Sequence, residues 1–144
     1  MSAVVAAARG WLGTPFCHGA SLRRGGSDCL GLIRGVYREV VGREPGAVPS
    51  YGPHWAEVGD GRDLEDGLRR GLRCVPASVA DAPGDILLFR ARDGGPARHL
   101  GIRSAVGPHS RFIHAYAGHG VVETSLSAPW TRRIVARFHY PLEG

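Results

Sequence analysis

Gly26-Ser27-Asp28-Cys29-Leu30-Gly31-Leu32 is the stretch whose reading decides the fold. A glycine-rich, polar loop stops at Cys29, and an apolar pattern starts there. Leu32, Ile33, Val36, Tyr37 and Val40 stand at i+3, i+4, i+7, i+8 and i+11 from the cysteine, one face of a helix. The spacing predicts a helix over 28–41, with Asp28 able to cap it and Gly42 closing it. Cys29 then sits in or next to the first turn. A thiol there feels the positive end of the helix dipole and nearby backbone N–H groups, which favour thiolate. Its pKa is expected below the ~8.5 of a free cysteine, and Cys29 is read as a nucleophile.

Upstream, Ser2 can cap a first helix over 3–12, which Gly13-Thr14-Pro15 ends. The start is small and apolar without a basic flank, so it reads as a helix rather than a signal peptide. Synthesis in the cytoplasm is therefore expected. Residues 16–26 form a loop whose glycines allow close backbone approach. Downstream, residues 42–62 are irregular and rich in Gly and Pro, with Tyr51, His54 and Trp55 among them. The two aromatic residues either line a groove or pack the loop down. A third helix is expected over 63–72, with Leu64, Leu68 and Leu72 on one face.

After Cys74 the pattern changes to strands. Ile86-Leu87-Leu88-Phe89 is a continuous apolar run. Strands over 99–105, 111–116, 121–125 and 134–140 follow, separated by glycine-containing turns. Helices first and a strand meander second predict an α+β domain, with helices packed on an antiparallel sheet. The length of 144 residues suits one domain with a real core. No apolar run approaches the ~18–20 residues of a membrane span.

Composition removes several chemistries. The 18 basic residues are all arginine, so a Schiff-base lysine, a Ser-Lys dyad and a P-loop lysine are excluded. The formal charge of +5 is scattered and interleaved with acids, unlike the clustered charge of a nucleic-acid binder. No specific nucleic-acid partner is expected. The three cysteines, Cys17, Cys29 and Cys74, form no CxxC and leave at least one thiol free. Cys17, His18 and Cys29 are a poor set for one tetrahedral ion, because Cys17 and His18 are adjacent. No metal is expected. Cys74 is read as a small buried residue.

A cysteine nucleophile needs a base, and the base an orienting partner. Of the seven histidines, His99 and His114 lie in strands joined by a hairpin around 106–110. The turn decides whether they stand directly opposite or offset, and the sequence leaves both open. In this reading His99 takes the thiol proton, His114 holds its ring, and the Cys29 backbone N–H contributes to an oxyanion hole. His109 and His119 are alternative orienters; His54 and His139 are read as loop or surface residues.

Five pieces then stand in one order: Leu12-Gly13-Thr14-Pro15-Phe16, Ser27-Asp28-Cys29-Leu30-Gly31-Leu32, Pro83-Gly84-Asp85-Ile86-Leu87-Leu88-Phe89, His99-Leu100-Gly101-Ile102 and Phe112-Ile113-His114-Ala115. Together they resemble the NlpC-type cell-wall peptidases of the papain-like clan. With Trp55-Ala56-Glu57 and Phe138-His139-Tyr140-Pro141 they most resemble the variants encoded among tail genes of phages and gene transfer agents. The resemblance implies a papain-like fold, with N-terminal helices packed on a C-terminal antiparallel sheet. It implies Cys29 as nucleophile, His99 as base and His114 as third member, without a cofactor. Phe16, His18, Ser27 and Asp28 fall in the substrate and oxyanion region. The implied substrate is the peptidoglycan stem peptide, cleaved between γ-linked D-glutamate and a diamino acid. The implied setting is a particle tail, with hub or baseplate proteins as partners. Phe16 departs from the tyrosine common there, and His18-Gly19-Ala20 from the usual Trp-Gly-Gly. A non-catalytic assembly or peptidoglycan-binding protein on the same fold is the alternative.

Overall fold

The computed structural model describes residues 2–43 and 62–142. Pro45, Tyr51, His54 and Trp55 lie outside these residues, as does most of the glycine- and proline-rich loop. Helix α1 (Ala3–Arg9) starts at Ser2, whose hydroxyl accepts from Val5 N, and is shorter than the periodicity predicts. Residues 10–13 continue it only as turns, which bury Trp11. A small hairpin of β1 (Ser21–Leu22) and β2 (Gly26–Ser27) leads into α2 (Cys29–Val41). Gly42 closes α2 in the left-handed conformation, φ +89°, where its N–H reaches Arg38 O. After α3 (Arg62–Gly71) come β3 (Arg73–Val75), β4 (Ile86–Arg90), β5 (Ala97–Ala105), β6 (Arg111–Tyr116) and β7 (Gly120–Ser125). Helix α4 (Ala128–Arg132) and β8 (Ile134–His139) end the order.

The sheet is antiparallel, in the order β3-β8-β4-β5-β6-β7. Strands β4 to β7 are the expected meander. The last strand does not extend it: β8 inserts between β3 and β4. Successive strand residues point to opposite faces, and the apolar residues separate accordingly. Ile86, Leu88, Leu100, Ile102, Ile113 and Phe138 form the main core with α1, α2 and α3. Leu87, Phe89, Phe112 and Leu126 form a second cluster, on which Trp130 of α4 and Ile134 pack. The α+β expectation of helices on an antiparallel sheet holds.

Two glycines of α2 set how closely its neighbours approach. A side chain at Gly31 would strike the Ala20 carbonyl, and one at Gly35 would strike the Trp11 ring. Trp11 reaches Glu39 Oε1 through its indole N–H at 3.1 Å. The first helix, the 14–20 loop and the first half of α2 are therefore clamped together. That clamp holds the Cys29 end of α2 against the sheet.

Cys74 departs from its expected burial. It lies exposed in the edge strand β3, with Arg69 Nη1 3.2 Å from its sulfur. A three-residue edge strand has too little of the sheet over it to cover both faces. His139 is at the surface, as read: it ends β8 with its side chain 45% exposed, and its Nε2 is 2.7 Å from Oδ1 of fully buried Asp85.

Candidate active site

The cysteine side is built from backbone. Asp28 is the N-cap of α2, its Oδ1 accepting from Gly31 N at 2.7 Å. Its Oδ2 accepts from Gly19 N, also at 2.7 Å. One carboxylate thus ties the loop to the helix start. Ser27 is fully buried and gives its hydroxyl proton to the Asp28 carbonyl at 2.9 Å. Its main chain accepts from Cys17 N and donates to Pro15 O, and Phe16 pairs with it in a parallel bridge. Phe16 stands beside the cysteine loop and is 38% exposed. His18 is exposed, with Nδ1 3.9 Å from Asp28 Oδ2. The four residues expected around the cysteine are therefore together, and the loop is the near wall of the site.

Cys29 opens α2 and is 7% exposed. Its Sγ lies 3.9 Å from the Arg98 carbonyl. The backbone N–H groups of Leu100, Leu30 and Cys29 itself favour the thiolate, as the helix position leads one to expect. Burial outweighs them. With Asp28 adding its negative charge, burial pushes the thiol up to about 12. This corrects the expectation of a lowered pKa: desolvation of a buried sulfur exceeds the field of one helix end. At neutral pH the resting site holds a protonated thiol.

The histidine side is built from side chains. His99 Nε2 and His114 Nδ1 are 2.7 Å apart. The β5–β6 register pairs Ile102 with Ile113, so His114 faces Gly101 and His99 stands diagonally, two residues on. The offset geometry is the one realised, and Gly101 lets the Phe112 ring lie against β5, where a side chain would strike it. His114 Nε2 lies 3.0 Å from Thr124 Oγ1 in β7. Aromatic rings enclose the pair. Phe89 and Trp130 are 5.8 and 5.7 Å from His99, and Phe112 is 4.2 Å from His114. Tyr116 stacks on His114 at 5.2 Å, and His119 on Tyr116 at 5.3 Å. Burial lowers His99 to about 4. Burial, then the neighbouring His99 and His119, lower His114 to about 3. Both rings are neutral at neutral pH.

The two sides meet at the β5 backbone. Cys29 packs with Leu100 in the helix-side core, while the His99 ring lies among Phe89 and Trp130 of the second cluster. Successive residues of a strand point apart, and no hydrogen bond links Cys29 Sγ to the His99 ring. The structure thus joins His99 to His114 and sets the thiol against the strand flanking His99. His109 and His119 do not replace His114: His109 lies in the β5–β6 turn, and His119 touches Tyr116 instead. Thr124, Tyr116 and Trp130 were not singled out by sequence. Thr124 is one polar residue in an alternating strand, and Trp130 depends on a short helix after Ser127 that periodicity does not mark. Among the described residues no group of three His, Cys, Asp or Glu is placed to hold a metal ion. No helix among them is long and apolar enough to cross a membrane.

The NlpC/p60 domain of the peptidoglycan hydrolase SagA is 28% identical, and the match covers 94% of this chain and 95% of that domain with a TM-score of 0.58. This is an NlpC/P60 fold. An NLP/P60 protein from Staphylococcus aureus adds to the likeness of fold, with a TM-score of 0.63 at 21% identity over 99% of this chain and 41% of that one. In sequence the chain is 32% identical over 124 residues to the murein DD-endopeptidase MepS/murein LD-carboxypeptidase of Escherichia coli O157:H7. That match covers 85% of this chain and 54% of the relative, so the chain spans about half that protein's length. No family model matches the chain. The NlpC/P60 family is thus supported by a curated relative and by solved structures, and the papain-like α+β architecture is that of the NlpC/P60 domains.

Proposed function

We propose that this chain is a cysteine peptidase that hydrolyses peptide bonds in peptidoglycan stem peptides. The observation that carries the reading is the 2.7 Å hydrogen bond between His99 and His114, beside a strand on which the Cys29 sulfur rests. The names of the SagA and E. coli relatives, a peptidoglycan hydrolase and a murein peptidase, support it.

In this mechanism substrate binding brings the thiol into hydrogen-bond reach of His99 Nδ1 through rotation of the Cys29 side chain, while His99 keeps its bond to His114. Catalytic hydrogen bonds are often incomplete before substrate binds. The thiol proton passes to Nδ1, and the thiolate attacks the peptide carbonyl carbon. The Cys29 N–H, at the helix start, faces the developing oxyanion. The C–N bond breaks as His99 returns the proton to the leaving amine. Water then hydrolyses the thioester, with His99 again as base.

The finer reading is cleavage between γ-linked D-glutamate and a diamino acid, by a component of a phage-like or gene transfer agent tail contacting hub or baseplate proteins. It rests on the sequence resemblance. The E. coli relative is named for different bonds, so fragment masses decide the bond. Detection of the chain in purified particles decides the setting.

The buried, protonated thiol and the missing Cys29–His99 hydrogen bond favour a second reading, a peptidoglycan-binding domain without turnover. Digestion of purified peptidoglycan separates the two. The peptidase releases muropeptide fragments that Cys29→Ala and His99→Ala do not. The binding domain sediments with the polymer and releases nothing.

A further inference from the structure

His99 and His114 share one hydrogen bond, and both rings are neutral at neutral pH. A neutral imidazole carries one N–H and one bare nitrogen. The chain Thr124 Oγ1, His114 Nε2, His114 Nδ1, His99 Nε2 therefore admits two proton orders. In the first, His99 Nε2–H donates to bare His114 Nδ1, and His114 Nε2–H donates to Thr124 Oγ1. His99 Nδ1 is then bare. In the second, the Thr124 hydroxyl donates to bare His114 Nε2, and His114 Nδ1–H donates to bare His99 Nε2. His99 Nδ1 then carries the hydrogen and cannot accept another.

We propose that Thr124 is a positioning residue that fixes this order, accepting from His114 Nε2–H so that His99 presents a bare Nδ1 to the thiol. The proposal rests on the peptidase reading for its consequence but not for its geometry. His114 is 1% exposed, so its Nε2 has no bulk water to turn to, whereas half-buried Thr124 can send its own hydroxyl hydrogen to solvent and keep its oxygen free to accept. The 3.0 Å contact to Thr124 is the only hydrogen bond that nitrogen makes among the described residues. Thr124 is held opposite Phe112 in the β6–β7 register, one cross-strand step diagonal from His114. Phe112 at 4.2 Å and Tyr116 at 5.2 Å lie over the two sides of the imidazole and fix its plane. The ring has one direction in which to send its outer N–H, and Thr124 stands there. Neither partner in the chain is a carboxylate, so a hydroxyl does the orienting that an acid would otherwise do.

The test reads tautomers first and rates second. In the wild-type chain with 15N-labelled histidine, both His99 and His114 should show the Nε2–H tautomer, with the hydrogen bonds visible across the pair. An Nδ1–H tautomer at His114 would overturn the proposal whatever the activity. Thr124→Val keeps the shape and removes the acceptor. It should move His114 toward Nδ1–H and lower kcat on muropeptides by about 10- to 100-fold, with KM nearly unchanged. Thr124→Ser should restore both readouts. If Thr124→Val keeps full kcat and wild-type tautomers while Cys29→Ala is inactive, the role of Thr124 is wrong and the peptidase reading stands. If Cys29→Ala is as active as wild type, the peptidase reading is wrong, and the tautomer spectra still decide the proton order. Should Thr124→Val fail to fold, the wild-type and Thr124→Ser spectra carry the decision.

Discussion

The sheet carries two histidine networks made of opposite materials. At one, His99, His114 and Thr124 form a chain of neutral groups walled by aromatic rings. At the other, near the start of β4, buried Asp85 takes His139 on one oxygen at 2.7 Å and Arg137 on the other at 3.2 Å. Arg103 lies 3.6 Å away, and Arg137 also donates to the carbonyls of Pro76, Val79 and Ala80. The second network is a charged clamp that pins the 76–80 segment and the β4 turn to β8. The first has no charge to neutralise and no loop to hold. A chain of neutral hydrogen bonds held in one proton order leaves a nitrogen at its end free to take a proton; a saturated ionic cluster holds backbone in place. Presence of a histidine beside a strand says little, and what the histidine leans on says much.

Breaking the first network should remove chemistry and spare the fold. His99→Ala is expected to lower turnover of muropeptides by about 10²- to 10⁴-fold, with the far-ultraviolet dichroism of a folded chain. Normal turnover would dissolve the distinction. Breaking the second should do the reverse. Asp85→Ala removes the buried carboxylate that Arg137, Arg103 and His139 share, leaving Arg137 only the exposed Asp81 at 3.4 Å, and should lose about 3 kcal/mol of stability, read from the urea midpoint. Activity per folded molecule should persist.

The neutral network also has its own acid signature. His99 and His114 titrate below their unfolded values, so between about pH 6.5 and about pH 3 the unfolded chain binds protons that the folded one refuses. Stability is full above that window and falls as pH drops through it; His99→Gln should flatten part of the slope. Cys29 adds the alkaline counterpart. Its folded pKa near 12 makes stability fall as pH rises above about 9. Thermal midpoints across pH would contradict this if they were flat in both ranges. The smallest effect is at the loop: Asp28→Ala removes the cap and should cost about 1 kcal/mol, measurable by chemical denaturation.

Much of the fold was legible because its signals are local. The 3.6 period after Cys29 and Gly42 in the left-handed conformation bounded α2 to within a residue. Ile86–Phe89 and the glycine turns marked the strands. The insertion of β8 between β3 and β4 was not legible, because strand order depends on long-range pairing that no local pattern encodes. The histidine pair was legible in its members but not its offset, which the Ala105 irregularity in β5 helps to set. The thiol's protonation was misread for a physical reason. Helix position is visible in sequence, whereas the burial that overrides it requires Leu100 and the rest of the core to be assembled. Thr124 was invisible because one threonine in a strand has no signature until His114 stands diagonal to it.

In the proposed peptidase, the buried, protonated Cys29 thiol becomes a nucleophile when peptidoglycan binds. Digestion of purified peptidoglycan by wild type and Cys29→Ala, with mass analysis of the released fragments, tests it most directly. Stem-peptide fragments are expected from wild type and none from Cys29→Ala, with both proteins folded. Equal fragment release by the two, or none by either, would contradict it.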